Sequence, residues 1–162
     1  MSGEQPFSGL GKDELRAWIN LAKVLLTLPG ALESQLLRDA DLTLLGYMIL
    51  ARLSAVPGES LRMSEIAEMA NGSLPRISHA VARLEDRGWV TREVCTGRGR
   101  RFTTATLTAA GRAHLAASEP AHVATVRRLV MDPLGDDFVR VGDAVERIVK
   151  TLGLPTEILK PR

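Results

Sequence analysis

Arginine is the residue type in this sequence with the clearest chemistry, because a guanidinium group can bind both the phosphates and the base edges of nucleic acid. Seven arginines lie between residues 73 and 101, where only Glu85, Asp86 and Glu93 oppose them, and the local charge balance is +4. The whole chain carries a formal charge of only +2. Positive charge concentrated in one stretch is typical of a nucleic-acid-binding surface.

The first half of this stretch has the pattern of an amphipathic helix that begins after Ser73. Pro75 falls in the first turn, where its missing N–H costs nothing, and Gly88 closes the helix. The apolar stripe that we expect to be buried consists of Leu74, Ile77, Val81 and Leu84. The opposite face carries Ser73, Arg76, Ser78, His79 and Arg83.

This opposite face, together with Pro75 at its start, is the predicted DNA-binding surface. The guanidinium of Arg76 has the geometry to donate to O6 and N7 of guanine, whereas Ser78 and His79 can bond to bases or phosphates. Ser73 and the helix N-terminus favour a phosphate. The helix therefore has side chains for both base readout and backbone contact.

The second half of the stretch has the pattern of a β-hairpin with a basic tip. Residues 89–95 and 102–107 are rich in aromatic or β-branched residues, and they flank a six-residue loop, 96–101. Arg98 lies between two glycines in this loop, which predicts that it enters a minor groove. Arg100 and Arg101 are placed to meet phosphates.

The elements before the basic helix complete a recognisable order. A short helix is predicted from Ser64, and Asn71 and Gly72 form a tight turn that tolerates positive φ. Short helix, tight turn, second helix and hairpin together make a winged helix-turn-helix. This arrangement suits DNA because a helix fits the major groove, about 12 Å wide, while a β-loop reaches a neighbouring groove or the backbone.

Helices are predicted on both sides of this lobe. An apolar stripe over residues 15–26 indicates a helix that Pro29 and Gly30 kink or interrupt, and Thr43 is placed to cap the helix that follows. Thr108 is placed to cap a long helix in which Pro120 marks a bend, and residues 138–152 repeat at helical spacing. The predicted fold is mainly α with a small β-hairpin, in a single domain.

Three segments resemble the MarR family of bacterial transcriptional regulators. They are Met63-Ser-Glu-Ile-Ala-Glu-Met-Ala, then Arg83-Leu-Glu-Asp-Arg-Gly-Trp-Val90, and, after the basic wing, Leu107-Thr-Ala-Ala-Gly-Arg112. Wings of the family often have the sequence Asp-x-Arg-Asp-Arg-Arg, and residues 96–101 keep its arginines but lack both acidic residues. This departure predicts a looser and less sequence-selective wing.

The resemblance implies an assembly and a function. Residues 12–37 and 109–152 would mainly be dimerisation helices, and residues 43–108 would be the DNA-binding lobe. A homodimer would bind a pseudo-palindromic double-stranded DNA operator and act as a repressor that a small aromatic or anionic effector releases. Trp18 and Tyr47 are the residues predicted to line the effector pocket, with packing of the core as the other interpretation of both.

Several function classes are disfavoured by what the sequence lacks. It has no nucleophile elbow and no supported pair of catalytic carboxylates, so we expect no enzyme and no cofactor. The three histidines and Cys95 show no zinc spacing, so no metal is expected, and a lone cysteine allows no intrachain disulfide. No apolar run approaches the ~18 residues of a membrane helix, and no leader pattern opens the chain, which predicts a cytoplasmic protein.

Two alternatives stay open at the level of sequence. The basic surface could belong to a winged-helix module that binds an acidic protein, with DNA binding incidental. Cys95, beside a basic loop, could make the protein a redox-responsive regulator, or a metal could regulate it.

Overall fold

The computed structural model describes residues 7, 9–97 and 99–154. Two long helices come first, α1 (Lys12–Ala40) and α2 (Leu44–Ala55), and a 3₁₀ turn (Pro57–Glu59) leads into strand β1 (Ser60–Arg62). The helix-turn-helix consists of α3 (Met63–Met69) and α4 (Leu74–Asp86), and the wing of β2 (Val90–Gly97) and β3 (Arg100–Leu107). The chain then forms α5 (Ala109–Val126), a π-helical turn (Arg127–Met131), the short α6 (Asp132–Leu134), a 3₁₀ turn (Gly135–Asp137) and α7 (Phe138–Thr151).

The helix ends follow local sequence signals. The hydroxyls of Thr43 and Thr108 accept from the backbone N–H groups of Gly46 and Gly111, both at 3.0 Å, and cap α2 and α5 as predicted. Gly88, at φ 73°, ends α4, with the N–H of Trp89 donating to the carbonyl of Leu84. Ser73 occupies the N-cap position of α4, but its side chain makes no capping bond.

The predicted interruption of α1 is wrong. The helix continues through Pro29 and Gly30 to Ala40 without a break. A proline inside a helix removes one hydrogen bond at a cost of about 3 kcal/mol, which tertiary contacts can offset. The buried side chains of α1, Gln35, Leu36 and Ala40, all follow the proline, so packing on the rest of the lobe holds that half in helical form.

The sheet is larger than the predicted hairpin. It has three antiparallel strands in the order β1-β3-β2, with Leu61 of β1 opposite Ala105 of β3. The β2–β3 ladder continues to the pair Gly97–Arg100, so the predicted six-residue loop is also wrong. A three-residue strand has no periodicity of its own, and pairing with β3 is what makes it a strand.

The core lies where α1, α2, α3, α4 and the sheet meet. Its fully buried large side chains are Leu36, Leu42, Ile49, Leu50, Leu53, Ile66, Ile77, Val81 and Val90. Within α4 the stripe of Ile77, Val81 and Leu84 is buried as predicted, whereas Leu74 is 51% exposed. Leu74 is the first residue of the helix and extends beyond the core toward the wing, which is why its predicted burial is wrong.

Candidate nucleic-acid interface

Helix α4 presents the predicted DNA-binding residues on its outer side. Arg76, His79 and Arg83 are exposed and follow one another at steps of three and four, so they lie on one face. Ser73 and Pro75 are exposed at the start of the helix. Ser78 is half-buried and faces a groove beside the wing. Burial of the opposite stripe fixes the rotation of the helix about its axis.

Two of the seven clustered arginines hold the lobe together and are not free to bind a ligand. Arg92 donates through Nε and Nη2 to Oε2 of Glu85, at 2.8 and 2.5 Å, and its backbone N–H donates to Oε1 at 3.1 Å. These bonds stabilise the carboxylate and lower the pKa of Glu85. The pair ties the last turn of α4 to β2.

The second of these arginines, Arg87, joins the end of α4 to the α1–α2 turn. It forms an ion pair with Asp41, and its guanidinium carbon lies 5.9 Å from the centre of the Trp89 ring. Trp89 stacks on His114 of α5 at 3.9 Å, and His114 Nε2 bonds to the carbonyl of Ala40 at 2.8 Å. The recognition helix is thereby connected to α1 and α5.

The remaining described arginines of the cluster are exposed and unpaired. Among the residues that the structure describes, no carboxylate forms an ion pair with Arg76, Arg83, Arg100 or Arg101. The prediction for Arg98 lies outside the described residues. The four free cations belong to α4 and to the wing, which are the two elements predicted to contact DNA.

Sequence analysis missed one basic residue of this surface. Arg62 ends β1, pairs with Thr104 of β3, and places its guanidinium carbon 4.1 Å from the centre of the Phe102 ring. It lies outside the arginine cluster in sequence, and only the unpredicted pairing of β1 with β3 brings it to the wing. A basic residue just before α3 is too common a feature to signal this placement from sequence.

The structure does not bring the two predicted pocket residues together as a ring pair. Trp18 is 44% exposed on α1, and the described ring partner of the half-buried Tyr47 is His122, at 4.4 Å. His122 is buried, and its Nδ1 lies 3.0 Å from Oε1 of Gln35. Burial lowers the pKa of His122 and, with the charge of Glu119 second, raises the pKa of Tyr47.

Cys95 and the histidines form no cluster in this structure. The thiol of Cys95 is half-buried, with Sγ 3.7 Å from Oγ1 of Thr104. Within residues 7, 9–97 and 99–154, no three His, Cys, Asp or Glu side chains are grouped to hold a metal ion. Over the same residues, no helix combines the length and the apolar character needed to cross a bilayer.

Comparison with known proteins identifies this arrangement. The MarR family model matches residues 40–101. Sco3205, a MarR family transcriptional regulator from Streptomyces coelicolor solved in complex with DNA, is 37% identical, with a TM-score of 0.81 over 93% of this chain and 97% of that one. The chain belongs to the MarR family. The resemblance found in the sequence and the winged helix-turn-helix fold are both confirmed.

Two further MarR family structures support the same fold. AbsC, also a regulator from Streptomyces coelicolor, is 34% identical, with a TM-score of 0.80 over 88% of this chain and 96% of its own. A MarR family regulator from Rhodococcus sp. RHA1 shares the fold at 19% identity, with a TM-score of 0.69 over 91% and 96%. Comparison with curated proteins found no match. MarR family members of this kind are transcriptional regulators, not enzymes.

Proposed function

We propose that this MarR family regulator is a repressor that binds a pseudo-palindromic operator as a homodimer in the cytoplasm. The observation that carries the proposal is the set of unpaired arginines, Arg76 and Arg83 on α4 and Arg100 and Arg101 on the wing. Their exposure without carboxylate partners leaves positive charge on the two elements that a winged helix-turn-helix applies to DNA. The DNA complex of Sco3205, 37% identical, supports the same use of this surface.

The homodimer is inferred from apolar side chains at the two ends of the chain. Helix α1 exposes Trp18, Ile19, Leu21, Val24, Leu25 and Leu26, and α7 exposes Val139, Val141, Val145 and Ile148, with Leu152 directly after it. Exposed apolar faces of this extent mark association surfaces. A second copy is the occupant that also explains the DNA-binding face, because two-fold symmetry presents two α4 helices about 34 Å apart, one turn of DNA.

Selection of binding sequences from a random double-stranded DNA pool tests this function. We expect an inverted repeat to be enriched and bound with nanomolar affinity, and the affinity to fall steeply with salt as phosphate contacts release counterions. A purified protein that enriches no motif and binds DNA weakly would contradict the proposal. That outcome would favour the protein-interaction module.

An effector that releases the operator is the regulatory part of the proposal. Such a compound binds better to a dimer whose α4 helices are wrongly spaced, and lowers DNA affinity by the same coupling factor. The half-buried Tyr47 lies where α2 of the DNA-binding lobe meets α5, so a ligand beside it would contact both parts. A thermal-shift screen of aromatic carboxylates should find a compound that raises Tm and weakens operator binding. A screen without hits contradicts effector release.

The redox alternative has its own test. Oxidant should change operator affinity in the wild type but not in Cys95→Ser if the thiol regulates binding. An equal response of both proteins removes the thiol from the mechanism.

A further inference from the structure

The surface between α4 and the wing contains a basic groove that Arg76, Arg83, Arg100 and Arg101 do not fully account for. The groove has a volume of about 270 Å³ and is lined by Arg62, Met63, Ser64, Leu74, Ser78, Arg92, Phe102 and Thr103. A second concavity, lined by Arg62, Gly97, Arg100, Arg101 and Phe102, lies at the wing. Both are lined by Arg62 and Phe102, so this stacked pair forms the wall between them. We call the two concavities together the wing-base groove.

The charge of the wing-base groove suits an anion. No Asp or Glu is among the described residues that line either concavity. Arg92 is neutralised by Glu85, whereas Arg62 forms no ion pair within the described part of the chain. Arg62 is therefore the free cation that both concavities share.

The geometry of Arg62 is set by the sheet. Its partner across β1–β3 is Thr104, and Phe102 lies two residues from Thr104 on the same face of β3. The backbone N–H of Arg62 donates to Oε2 of Glu65 at 2.7 Å, which holds the start of the side chain. A Cβ at position 97 would lie 3.2 Å from Cε1 of Phe102, so glycine there gives the ring room to lie against the neighbouring strand.

A guanidinium stacked on an aromatic ring keeps its N–H edge free. The ring holds the plane by cation–π attraction, and less side-chain entropy is lost when the free edge then binds a phosphate. Ser78 of α4 lines the same groove, which places Arg62 beside the recognition helix as well as the wing.

From these observations we infer that Arg62 binds a DNA phosphate in the wing-base groove and that Phe102 positions its guanidinium for that contact. The inference rests on the proposed function and adds a backbone contact between those of α4 and those of the wing. Arg62 acts on the phosphate and carries no base specificity.

Salt titration of DNA binding tests the contact. The probes are the duplex enriched from the random pool and a scrambled duplex of the same length, with wild type, Arg62→Ala, Arg62→Lys, Phe102→Leu and the control Arg140→Ala. Arg140 is exposed on α7 and pairs with Asp137, so its removal makes the same change in charge away from the groove. Arg62→Ala should weaken binding to both duplexes and reduce the salt slope by about one. Arg62→Lys and Phe102→Leu should keep the slope and lose part of the affinity, and Arg140→Ala should match the wild type.

The outcomes separate this inference from the proposed function. If wild type selects an operator but Arg62→Ala has the wild-type slope, the Arg62 contact is wrong and the regulator stands. A lower Tm for Arg62→Ala with an unchanged slope also overturns the contact, because a purely structural Arg62 would affect folding alone. If the wild type shows no salt-dependent DNA binding, both proposals fail together.

Discussion

At the scale of single residues, the seven clustered arginines divide by their surroundings. Arg87 and Arg92 are fixed by Asp41 and Glu85, and their charge is neutralised within the lobe. Arg76, exposed on the outer face of α4, has no described carboxylate partner. Free donors on a helix that enters the major groove can distinguish guanine from the other bases.

Replacing Arg76 by alanine should therefore relax base preference at one position of each half-site, at a cost of about 1–3 kcal/mol for the preferred sequence. Competition binding with single-base variants of the selected operator measures this change. Arg98→Ala is the contrast, because a wing arginine should weaken binding to all sequences evenly and flatten the salt dependence. Unchanged operator affinity in both variants would contradict the assigned faces.

His122 gives a second prediction at this scale, about stability and pH. Its pKa in the folded state lies below the ordinary value of 6.5 because the ring is buried. Below that pH the unfolded chain takes up a proton that the folded chain resists. Stability is thus complete above about pH 6.5 and decreases as the pH falls toward the folded pKa.

Thermal unfolding between pH 8 and pH 5 measures this loss, since His122→Gln should flatten the profile. His79→Gln is the control, because His79 is exposed on α4 and makes no described hydrogen bond. Parallel profiles for wild type and His122→Gln would show that another group causes the pH dependence.

At the scale of elements, the approach of α5 to the wing depends on one glycine. Gly111, in the first turn of α5, is buried, and a Cβ there would overlap the carbonyl oxygen of Trp89 and lie 2.9 Å from Cδ1 of Leu107. The carbonyl of Trp89 also accepts from the N–H of Thr108. The contact therefore joins the start of α5 to the start of β2.

Gly111→Ala should destabilise the fold by about 1–3 kcal/mol, because the backbone of Trp89 must move to admit a methyl group. Chemical denaturation measures the free energy of unfolding. Gly142→Ala is the matched control, since Gly142 lies in α7 with nothing within 4 Å of the added Cβ, and alanine favours helix by about 1 kcal/mol. Equal stability of the two variants would contradict the close packing at Gly111.

At the scale of the whole molecule, a protomer by itself leaves apolar surface in water. Leu26 is 83% exposed on α1, and the side chains of α7 repeat the pattern at the other end of the chain. Helix α7 is strongly amphipathic yet has no buried residue, so its apolar side lacks a cover within the described protomer. A second copy supplies that cover in the proposed homodimer.

Leu25→Asp and Val145→Asp should therefore dissociate the homodimer, because each places a charge in the proposed interface. Sedimentation velocity should detect monomers, and operator affinity should fall with the loss of the second half-site. Val94→Asp is the control, since Val94 is exposed on the wing, and it should remain dimeric. A wild type that sediments as a monomer would contradict the dimer itself.

Sequence by itself determined those features whose causes are local. The periodicity of Ile77, Val81 and Leu84 specified the buried face of α4, and thereby its exposed arginines. Thr43, Thr108 and Gly88 marked helix ends because a cap needs only neighbouring residues. The order of these elements was enough to recognise the winged helix-turn-helix.

Tertiary structure alone decided those features whose partners are distant in the chain. Strand β1 exists because β3, about forty residues later, pairs with it, and the same pairing brings Arg62 to Phe102. Asp41 neutralises Arg87 only once α1 and α4 are packed together. Helix α1 passes through Pro29 because packing of its second half offsets one lost bond. In each case the deciding energy comes from a contact that local sequence patterns do not contain.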